Sequence, residues 1–216
     1  MKVLSVRNVH EALPRAIRML QQHGIPRASR NGSVIVAPFP VTTEYRNPVE
    51  RVLFWPERDA NPALHLYESL WMLSGRRDVA PLVRYAKQFN EYSDDGETLA
   101  GAYGYRWRRH FALVDGNLAE PPSRDQLKSI VKLLRKNPDD RRAVLQMWSA
   151  ADDLGRNGRD LPCNLMATFQ ISHLGALDLT VFCRSNDIIW GAYGANAVHF
   201  SFLQEYIALW LGVPMG

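Results

Sequence analysis

One cysteine stands in a context that could support nucleophilic chemistry. Cys163 follows a proline in Leu161-Pro-Cys-Asn164 and precedes an apolar run that predicts a β-strand, so its place along the backbone is well defined. The thiolate is the reactive form of cysteine, and nearby cations favour it. Taken alone, these four residues favour a buried structural cysteine over a nucleophile.

Three groups of cations could bind an anion such as phosphate. Arg184-Ser-Asn-Asp187 follows a predicted strand and supplies a guanidinium and a hydroxyl, which suit contact with phosphate oxygens. Asp139-Asp-Arg-Arg142 lies between a predicted helix and a predicted strand, and Arg30 lies in a predicted basic turn over 27–32. Taken alone, Arg184–Asp187 favours a polar turn with a salt bridge. The other two groups are equally compatible with a solvated surface, so both interpretations stay open.

A single carboxylate interrupts an apolar helix predicted over His65–Leu73. Burying Glu68 without a partner would be costly, because a charge loses its hydration in an apolar environment. A functional carboxylate with a shifted pKa is therefore at least as well supported as a residue on the helix surface.

The elements that must position these residues mix without regular alternation. Apolar residues recur at helical spacing in three further segments, and β-branched or apolar runs predict four strands. These segments are His10–His23, Ser123–Lys136 (with Ser123 as N-cap) and Ala197–Leu211 for helices, and Ser33–Val36, Ala143–Trp148, Leu165–Ser172 and Leu177–Cys183 for strands. The irregular order favours an α+β domain over a doubly wound sheet.

Composition indicates an ordinary globular chain. Its 216 residues fit one domain over 1–216, 46% of them are hydrophobic, and the net charge is +4. That charge suits a phosphate-bearing ligand but is too small to indicate a nucleic-acid binder. No apolar run is long enough for a membrane span and no signal-peptide core is present, so we expect a cytoplasmic location with both cysteines as free thiols.

Taken in order, the motifs resemble the thymidylate synthase family, which includes the pyrimidine nucleotide hydroxymethylases. Six stretches match from about Arg27 onward, and their shared order is far more specific than any one of them. They are Ser29–Gly32, Tyr67–Leu73, Tyr103–Arg108, Asn137–Arg142, Leu161–Cys163 and Arg184–Asp187. The resemblance implies an α+β fold with a mixed sheet packed against helices, and a homodimer formed through a sheet face.

The resemblance also implies catalytic roles. Cys163 would add to C6 of a pyrimidine, and C5 would then attack the one-carbon unit of 5,10-methylenetetrahydrofolate, with no metal required. Glu68 would organise proton transfer near the base, and Tyr103 would assist proton removal from C5. Asp187 would face the pterin of the folate. Arg184 beside the sulfur would favour the thiolate.

Substrate binding is implied for a further set of positions. Arg30, Arg184 and Ser185 would hold the 5′-phosphate, joined by Arg141 and Arg142 from the partner subunit. Asn186 would line the nucleotide site, and Asn196 would read the base edge, because an amide both donates and accepts as the O4 and N3–H of uracil require. This favours deoxyuridylate as substrate. Gly191, Phe89 and Tyr92 would line the folate side.

The chain departs from the family pattern at four places. Asn164 follows the cysteine where thymidylate synthases have histidine, and Phe89 and Tyr92 occur where they carry two tryptophans. The stretch Gly191–Asn196 is one residue longer than the usual Gly-x-Pro-Phe-Asn. The sequence stops at Gly216, before the family segment that grips the ribose 3′-hydroxyl, so we expect that segment to be lacking.

These departures leave more than one function open. A folate pocket without its tryptophans would admit water, which gives a hydroxymethyl product on deoxyuridylate or a cytidylate in place of methylation. A non-catalytic nucleotide- or nucleic-acid-binding member of the fold is a second alternative, although Cys163, Glu68 and Asp187 argue against it. A cysteine hydrolase is the least supported alternative, since the motifs supply no histidine base.

Overall fold

The computed structural model describes residues 1–29, 32–111 and 125–216, which form two compact units. One consists of Met1–Pro62 with Asn186–Ser201, and the other of Ala63–Ser185 with Phe202–Gly216. They are called the recognition unit and the nucleophile unit below. The organisation as a single domain over 1–216 stays a prediction.

Seven strands and eight α-helices are assigned among the described residues. The strands are β1 Lys2–Val6, β2 Ile25–Ser29, β3 Gly32–Val36, β4 Val41–Tyr45, β5 Val144–Gln146, β6 Asn164–Ile171 and β7 Leu177–Cys183. The α-helices are α1 Val9–His23, α2 Pro62–Leu73, α3 Ala80–Val83, α4 Phe89–Tyr92, α5 Tyr103–Tyr105, α6 Gln126–Lys136, α7 Ala150–Asp153 and α8 Asn196–Leu211. The predicted α+β class is confirmed.

The recognition unit is built around helix α1. Asn8 caps the helix by accepting a hydrogen bond from the Glu11 N–H at 3.0 Å, which satisfies one of the donors that a helix N-terminus leaves unpaired. The apolar face of α1 then packs with strand β1, Leu53 and Tyr193 in one buried cluster. Strand β1 pairs in parallel with β4, and β2 pairs with β3 as an antiparallel hairpin.

The nucleophile unit holds an antiparallel sheet in the order β5-β6-β7. Alternation along the strands buries Leu145, Ala167 and Phe169 on one face and leaves Val144 and Phe182 exposed on the other. Leu127, Ile130, Val131 and Leu134 give helix α6 a buried stripe at helical spacing.

Three local predictions need correction. The segment from Arg27 to Ser29 is not a turn: it belongs to strand β2, because its backbone pairs with Ser33 and Val34 of β3. Helix α6 starts at Gln126 and is capped by Asp125, whose carboxylate accepts the Lys128 N–H at 3.1 Å. Ser123, the predicted cap, lies outside the described residues. The predicted strand over Ala143–Trp148 is shorter, ending at Gln146.

Candidate active site

The backbone around Cys163 is held by a tyrosine hydroxyl. The N–H groups of Cys163 and Asn164 both donate to the Tyr103 Oη, at 2.9 and 3.1 Å. Burial raises the pKa of Tyr103 well above its ordinary value, and the neighbouring Cys163 and Asp160 raise it further. Tyr103 therefore stays a neutral phenol that accepts two N–H groups and retains a proton to donate.

Arg184 is fastened to the same segment. Its backbone N–H donates to the Cys163 carbonyl and its Nε to the Pro162 carbonyl, each at 3.0 Å, and the guanidinium carbon lies 5.5 Å from the centre of the Trp148 ring. The residue is exposed, as is Ser185 beside it. The structure thus brings together the cysteine and the arginine that the sequence predicted to cooperate.

Asn164 occupies the position where the family pattern has histidine. Its side chain is completely buried, and its Oδ1 accepts the Cys183 S–H at 2.9 Å. Its Nδ2 has no hydrogen-bond partner among the described residues, which is rare for a buried amide. Cys163 and Cys183 are not joined in a disulfide.

A buried arginine that the sequence analysis did not single out anchors several segments of this unit. Arg106 donates to both carboxylate oxygens of Asp153, at 2.6 and 2.8 Å, and both residues are almost fully buried. Its remaining hydrogen bonds go to the carbonyls of Met147 and Ala100. The N–H groups of Met147 and Trp148 both donate to the Leu165 carbonyl, so this anchor reaches the strand that follows Cys163.

A further carboxylate was also missed. Asp160 lies three residues before Cys163, is half-buried, and accepts the Gly101 N–H through Oδ2 at 2.7 Å. Burial raises the pKa of this carboxyl above its ordinary value. The signal available in the sequence was an acid immediately preceding the Leu-Pro-Cys motif.

In the recognition unit, the stretch from Asn186 to Asn196 is called the recognition segment. Asp187 caps it, because its Oδ1 accepts the N–H groups of Ile189 and Trp190 at 2.8 and 2.7 Å. The other oxygen of Asp187 has no hydrogen bond among the described residues, so it can accept one from a ligand. Asn196 donates through Nδ2 to the Asn186 Oδ1 at 3.2 Å.

A glycine is required beside that amide pair. A Cβ on Gly191 would lie 2.1 Å from the Asn186 Oδ1, well inside van der Waals contact. The extra residue of this segment has a structural counterpart, because Ile188–Ala195 forms a π-helical stretch with non-helical angles at Tyr193 and Gly194. Such wide turns accommodate an inserted residue and occur often at functional sites.

The recognition segment also presents an exposed indole. Trp190 is 67% exposed, and the Arg58 guanidinium carbon lies 4.4 Å from the centre of its ring. Arg58 is itself held by donating through Nε to the Ile189 carbonyl at 3.0 Å. One cation therefore supports the ring of Trp190 through a cation–π contact.

The remaining predicted residues lie on other elements. Phe89 and Tyr92 lie on helix α4 with their rings edge to face, 6.2 Å apart, and Glu68 is half-buried on helix α2. Arg142 forms a salt bridge with Asp140 at 2.6 Å, whereas Arg141 is exposed and has no ion pair among the described residues. Arg30 lies outside the described residues.

Comparison with known proteins decides the family. The family model described as thymidylate synthase matches residues 13–216. The chain belongs to the thymidylate synthase family. The resemblance carried by the six motifs is therefore confirmed, and with it the fold.

Three phage proteins are similar to this member of the thymidylate synthase family, and each is named deoxyuridylate hydroxymethyltransferase. The one from Pseudomonas phage M6 is 57% identical over 216 residues, which is 100% of this chain and 58% of the relative. The one from Bacillus phage SP01 is 40% identical over 178 residues, covering 82% of this chain and 46% of the relative. The one from Delftia phage PhiW-14 is 29% identical over 181 residues, covering 79% and 46%. The chain thus spans about half the length of these relatives.

Two kinds of feature are absent from the described residues. They contain no group of three or more histidine, cysteine, aspartate or glutamate side chains arranged to hold a metal ion. Within the same ranges, no helix has both the length and the apolar character needed to cross a membrane.

Proposed function

We propose that this chain transfers a one-carbon unit from methylenetetrahydrofolate to C5 of deoxyuridylate, and that water completes the reaction as a hydroxymethyl group. The observation that carries the proposal is the segment around Cys163, which Tyr103 and Arg184 hold by hydrogen bonds. This segment occurs in a member of the thymidylate synthase family. The names of the phage relatives favour hydroxymethylation over methylation. The smaller rings of Phe89 and Tyr92, in place of tryptophans, favour it on physical grounds, because a wetter pocket admits water.

The chemistry assigns a role to each catalytic group. The Cys163 thiolate adds to C6, and C5 attacks the one-carbon unit. Tyr103 assists removal of the C5 proton, and Glu68 organises proton transfer at the base. Loss of tetrahydrofolate leaves a methylene group on C5, and water adds to that carbon. The thiolate then leaves C6, which restores the double bond between C5 and C6.

Recognition of the nucleotide and the folate is assigned to the remaining residues. Arg184 retains exposed guanidinium donors that suit the 5′-phosphate, together with Ser185 and with Arg30. Asn196, oriented by Asn186, would read the uracil edge, and the second oxygen of Asp187 would accept from the pterin. Gly191, Phe89 and Tyr92 would line the folate. Because both ligands are metabolites of the cell interior, the proposal favours a cytoplasmic location.

The test is product analysis with the full chain. Incubation with deoxyuridylate and methylenetetrahydrofolate should add the elements CH₂O to the nucleotide, seen by mass spectrometry, with no dihydrofolate formed. A product carrying CH₂ together with dihydrofolate would establish methylation instead. Failure of 5-fluorodeoxyuridylate and the folate to form a covalent adduct at Cys163, in a sample shown to be folded, would remove the enzyme interpretation altogether.

We further propose that the chain works as a homodimer through the exposed face of the β5-β6-β7 sheet. Val144 and Phe182 are 37% and 46% exposed on that face, and the strand register places Met166 beside Phe182. An exposed apolar cluster on a sheet is typical of a protein–protein interface, and most homo-oligomers are symmetric. Phe182→Glu should shift the chain to monomer in sedimentation, whereas Leu174→Glu, at a more exposed apolar position in the turn before β7, should not.

The dimer would carry Arg141 and Arg142 to the phosphate of the partner subunit. Arg141 is the better candidate, because Arg142 is held by Asp140 within its own chain. Mixing Cys163→Ser with Arg141→Ala chains should restore activity, since one site of each mixed dimer then has both residues. If both variants form stable dimers that exchange subunits, but the mixture stays inactive, the role of Arg141 in the partner's site is contradicted.

A further inference from the structure

We propose that Asp160 is the general base that takes the proton from water when the hydroxymethyl group forms. This inference rests on the proposed function and names the group that its last step requires. The steps assigned to Cys163, Tyr103 and Glu68 do not use the carboxylate of Asp160. It lies three residues before the nucleophile.

The placement of Asp160 follows from two hydrogen bonds that link the same pair of segments. Its Oδ2 accepts the Gly101 N–H at 2.7 Å, and two residues later the Tyr103 hydroxyl accepts the Cys163 N–H at 2.9 Å. The carboxylate of Asp160 and the sulfur of Cys163 therefore extend from one short stretch of backbone. The Cα atoms of these two residues are at most about 10 Å apart. Since C6 bonds to the sulfur, the methylene on C5 forms within this same region.

One oxygen of Asp160 is available for the water. Oδ2 is engaged by Gly101, whereas Oδ1 has no hydrogen bond among the described residues. The charged groups acting on the carboxylate are Arg106 and Arg156, which favour its ionised form, and Asp94, which opposes it. Burial outweighs them and raises the pKa of Asp160, so the carboxylate is a stronger base than an exposed aspartate.

The step balances without any further reagent. The water oxygen bonds to the methylene carbon, and its proton passes to Asp160. The electron pair of the exocyclic double bond moves through C5 to the C4 oxygen as an enolate. That enolate then collapses, forms the bond between C5 and C6, and expels the Cys163 thiolate. The product carries CH₂OH on C5, and no oxidation or reduction occurs.

The decisive variant is Asp160→Asn, because an amide oxygen still accepts the Gly101 N–H but takes up no proton. Release of tritium from 5-tritiated deoxyuridylate reports every step up to loss of the C5 proton, and hydroxymethyl product reports the water step. With enzyme in excess, so that each chain turns over only once, we expect tritium release within about threefold of the unmodified chain and hydroxymethyl formation slower by about a hundredfold or more. An added thiol should then trap the methylene intermediate as a C5 thioether. Asp94→Asn, the same change at a neighbouring exposed carboxylate, should leave both rates unaltered.

Each other outcome overturns the proposal. Equal loss of tritium release and product in Asp160→Asn would mean that the residue only supports the fold or acts earlier. Undiminished hydroxymethyl formation would remove it from the reaction. Added formate should restore product in Asp160→Ala, which a purely structural role does not predict. Absence of tritium release from the unmodified chain would instead count against the proposed function, so the two failures are distinguishable.

Discussion

Cys163 lies in a segment whose backbone is held by residues distant in sequence, whereas two polar side chains of the recognition segment, Asp187 and Asn196, are held by hydrogen bonds within that segment. Around Cys163 the hydrogen bonds come from Tyr103 and Arg184, distant in sequence, and Arg106 anchors the surrounding segments. In the recognition segment, Asp187 caps the turn that follows it and Asn186 pairs with Asn196. The backbone and Tyr193 of the recognition segment also have long-range hydrogen bonds, with Thr43, Tyr45 and Arg58. The difference therefore concerns Asp187 and Asn196, which short-range contacts orient.

The difference indicates how this family member can vary its chemistry. A nucleophile must keep its position to within a fraction of an ångström, because misplacement by about one ångström can cost a hundredfold in rate. Long-range buried contacts provide that precision. The recognition segment accommodates its extra residue in the π-helical stretch over Ile188–Ala195, while two of its carbonyls keep hydrogen bonds from Tyr45 and Arg58.

The comparison depends first on Cys163 being the group that reacts. Cys163→Ser should reduce product formation by about a thousandfold or more, because a hydroxyl is a far weaker nucleophile than a thiolate. Denaturing mass spectrometry should show no adduct with 5-fluorodeoxyuridylate and the folate. The matched change Cys183→Ser keeps a donor to Asn164 and should retain the adduct. If the adduct depended on Cys183 instead, the assignment of Cys163 as the nucleophile would be wrong.

The buried anchor should give the largest effect on stability. Asp153→Asn leaves the Arg106 charge without its counterion in an environment that excludes water, and should lower the free energy of unfolding by about 3–5 kcal/mol. Urea denaturation followed by circular dichroism measures this change.

The control is Asp140→Asn, which makes the same substitution beside Arg142, whose side chain is 80% exposed. Water replaces the lost partner there, so the decrease should be far smaller. Equal destabilisation by the two variants would show that the buried anchor is no more important than a surface pair.

The hydroxyl that holds the nucleophile should have an intermediate effect. Tyr103→Phe leaves the N–H groups of Cys163 and Asn164 without their acceptor, which costs about 1–3 kcal/mol and should slow kcat by roughly 10- to 100-fold. The KM for deoxyuridylate should change little, because the phosphate contacts are untouched. Tyr105→Phe removes a hydroxyl from the same helix that has no hydrogen bond among the described residues, and should leave kcat unchanged. A loss confined to KM in Tyr103→Phe would contradict the positioning role.

Sequence patterns predicted the longer helices and four of the strands, because the periodicity of apolar residues depends on nearest neighbours. They did not predict strands β1 and β4 or the short helices α3, α4, α5 and α7. Strand β7 has the bounds that the alternation predicts, and helix α1 differs from its prediction by one residue at its start. The proximity of Cys163 and Arg184 was anticipated through the family resemblance alone. In the structure, the antiparallel pair of strands β6 and β7 brings these residues to one end.

What sequence patterns missed depends on contacts between distant residues. Nothing in the spacing of Arg106 and Asp153 indicates that they pair in the interior, because burial is decided by the tertiary fold. Strand β2 was missed for a similar reason: Arg27 and Ser29 are typical of a turn, and only pairing with β3 makes them extended. Asp160 was not predicted as a site residue, because its raised pKa comes from burial in the fold and not from the residue type.

The smallest effect is expected in the recognition segment, where Gly191→Ala tests whether short-range contacts orient Asn196. The added methyl group would displace the Asn186 amide and so break its hydrogen bond with Asn196. We expect the KM for deoxyuridylate to rise about threefold to tenfold with kcat nearly unchanged, since one such hydrogen bond contributes about 0.5–1.5 kcal/mol. Discrimination against deoxycytidylate should fall in parallel, because Asn196 then reads the base edge less strictly. Asn186→Ala alone should have the same effect without any steric clash, and adding Gly191→Ala to it should cost nothing more. Additive losses in the double variant would mean that Gly191 acts on the folate directly and not through the amide pair.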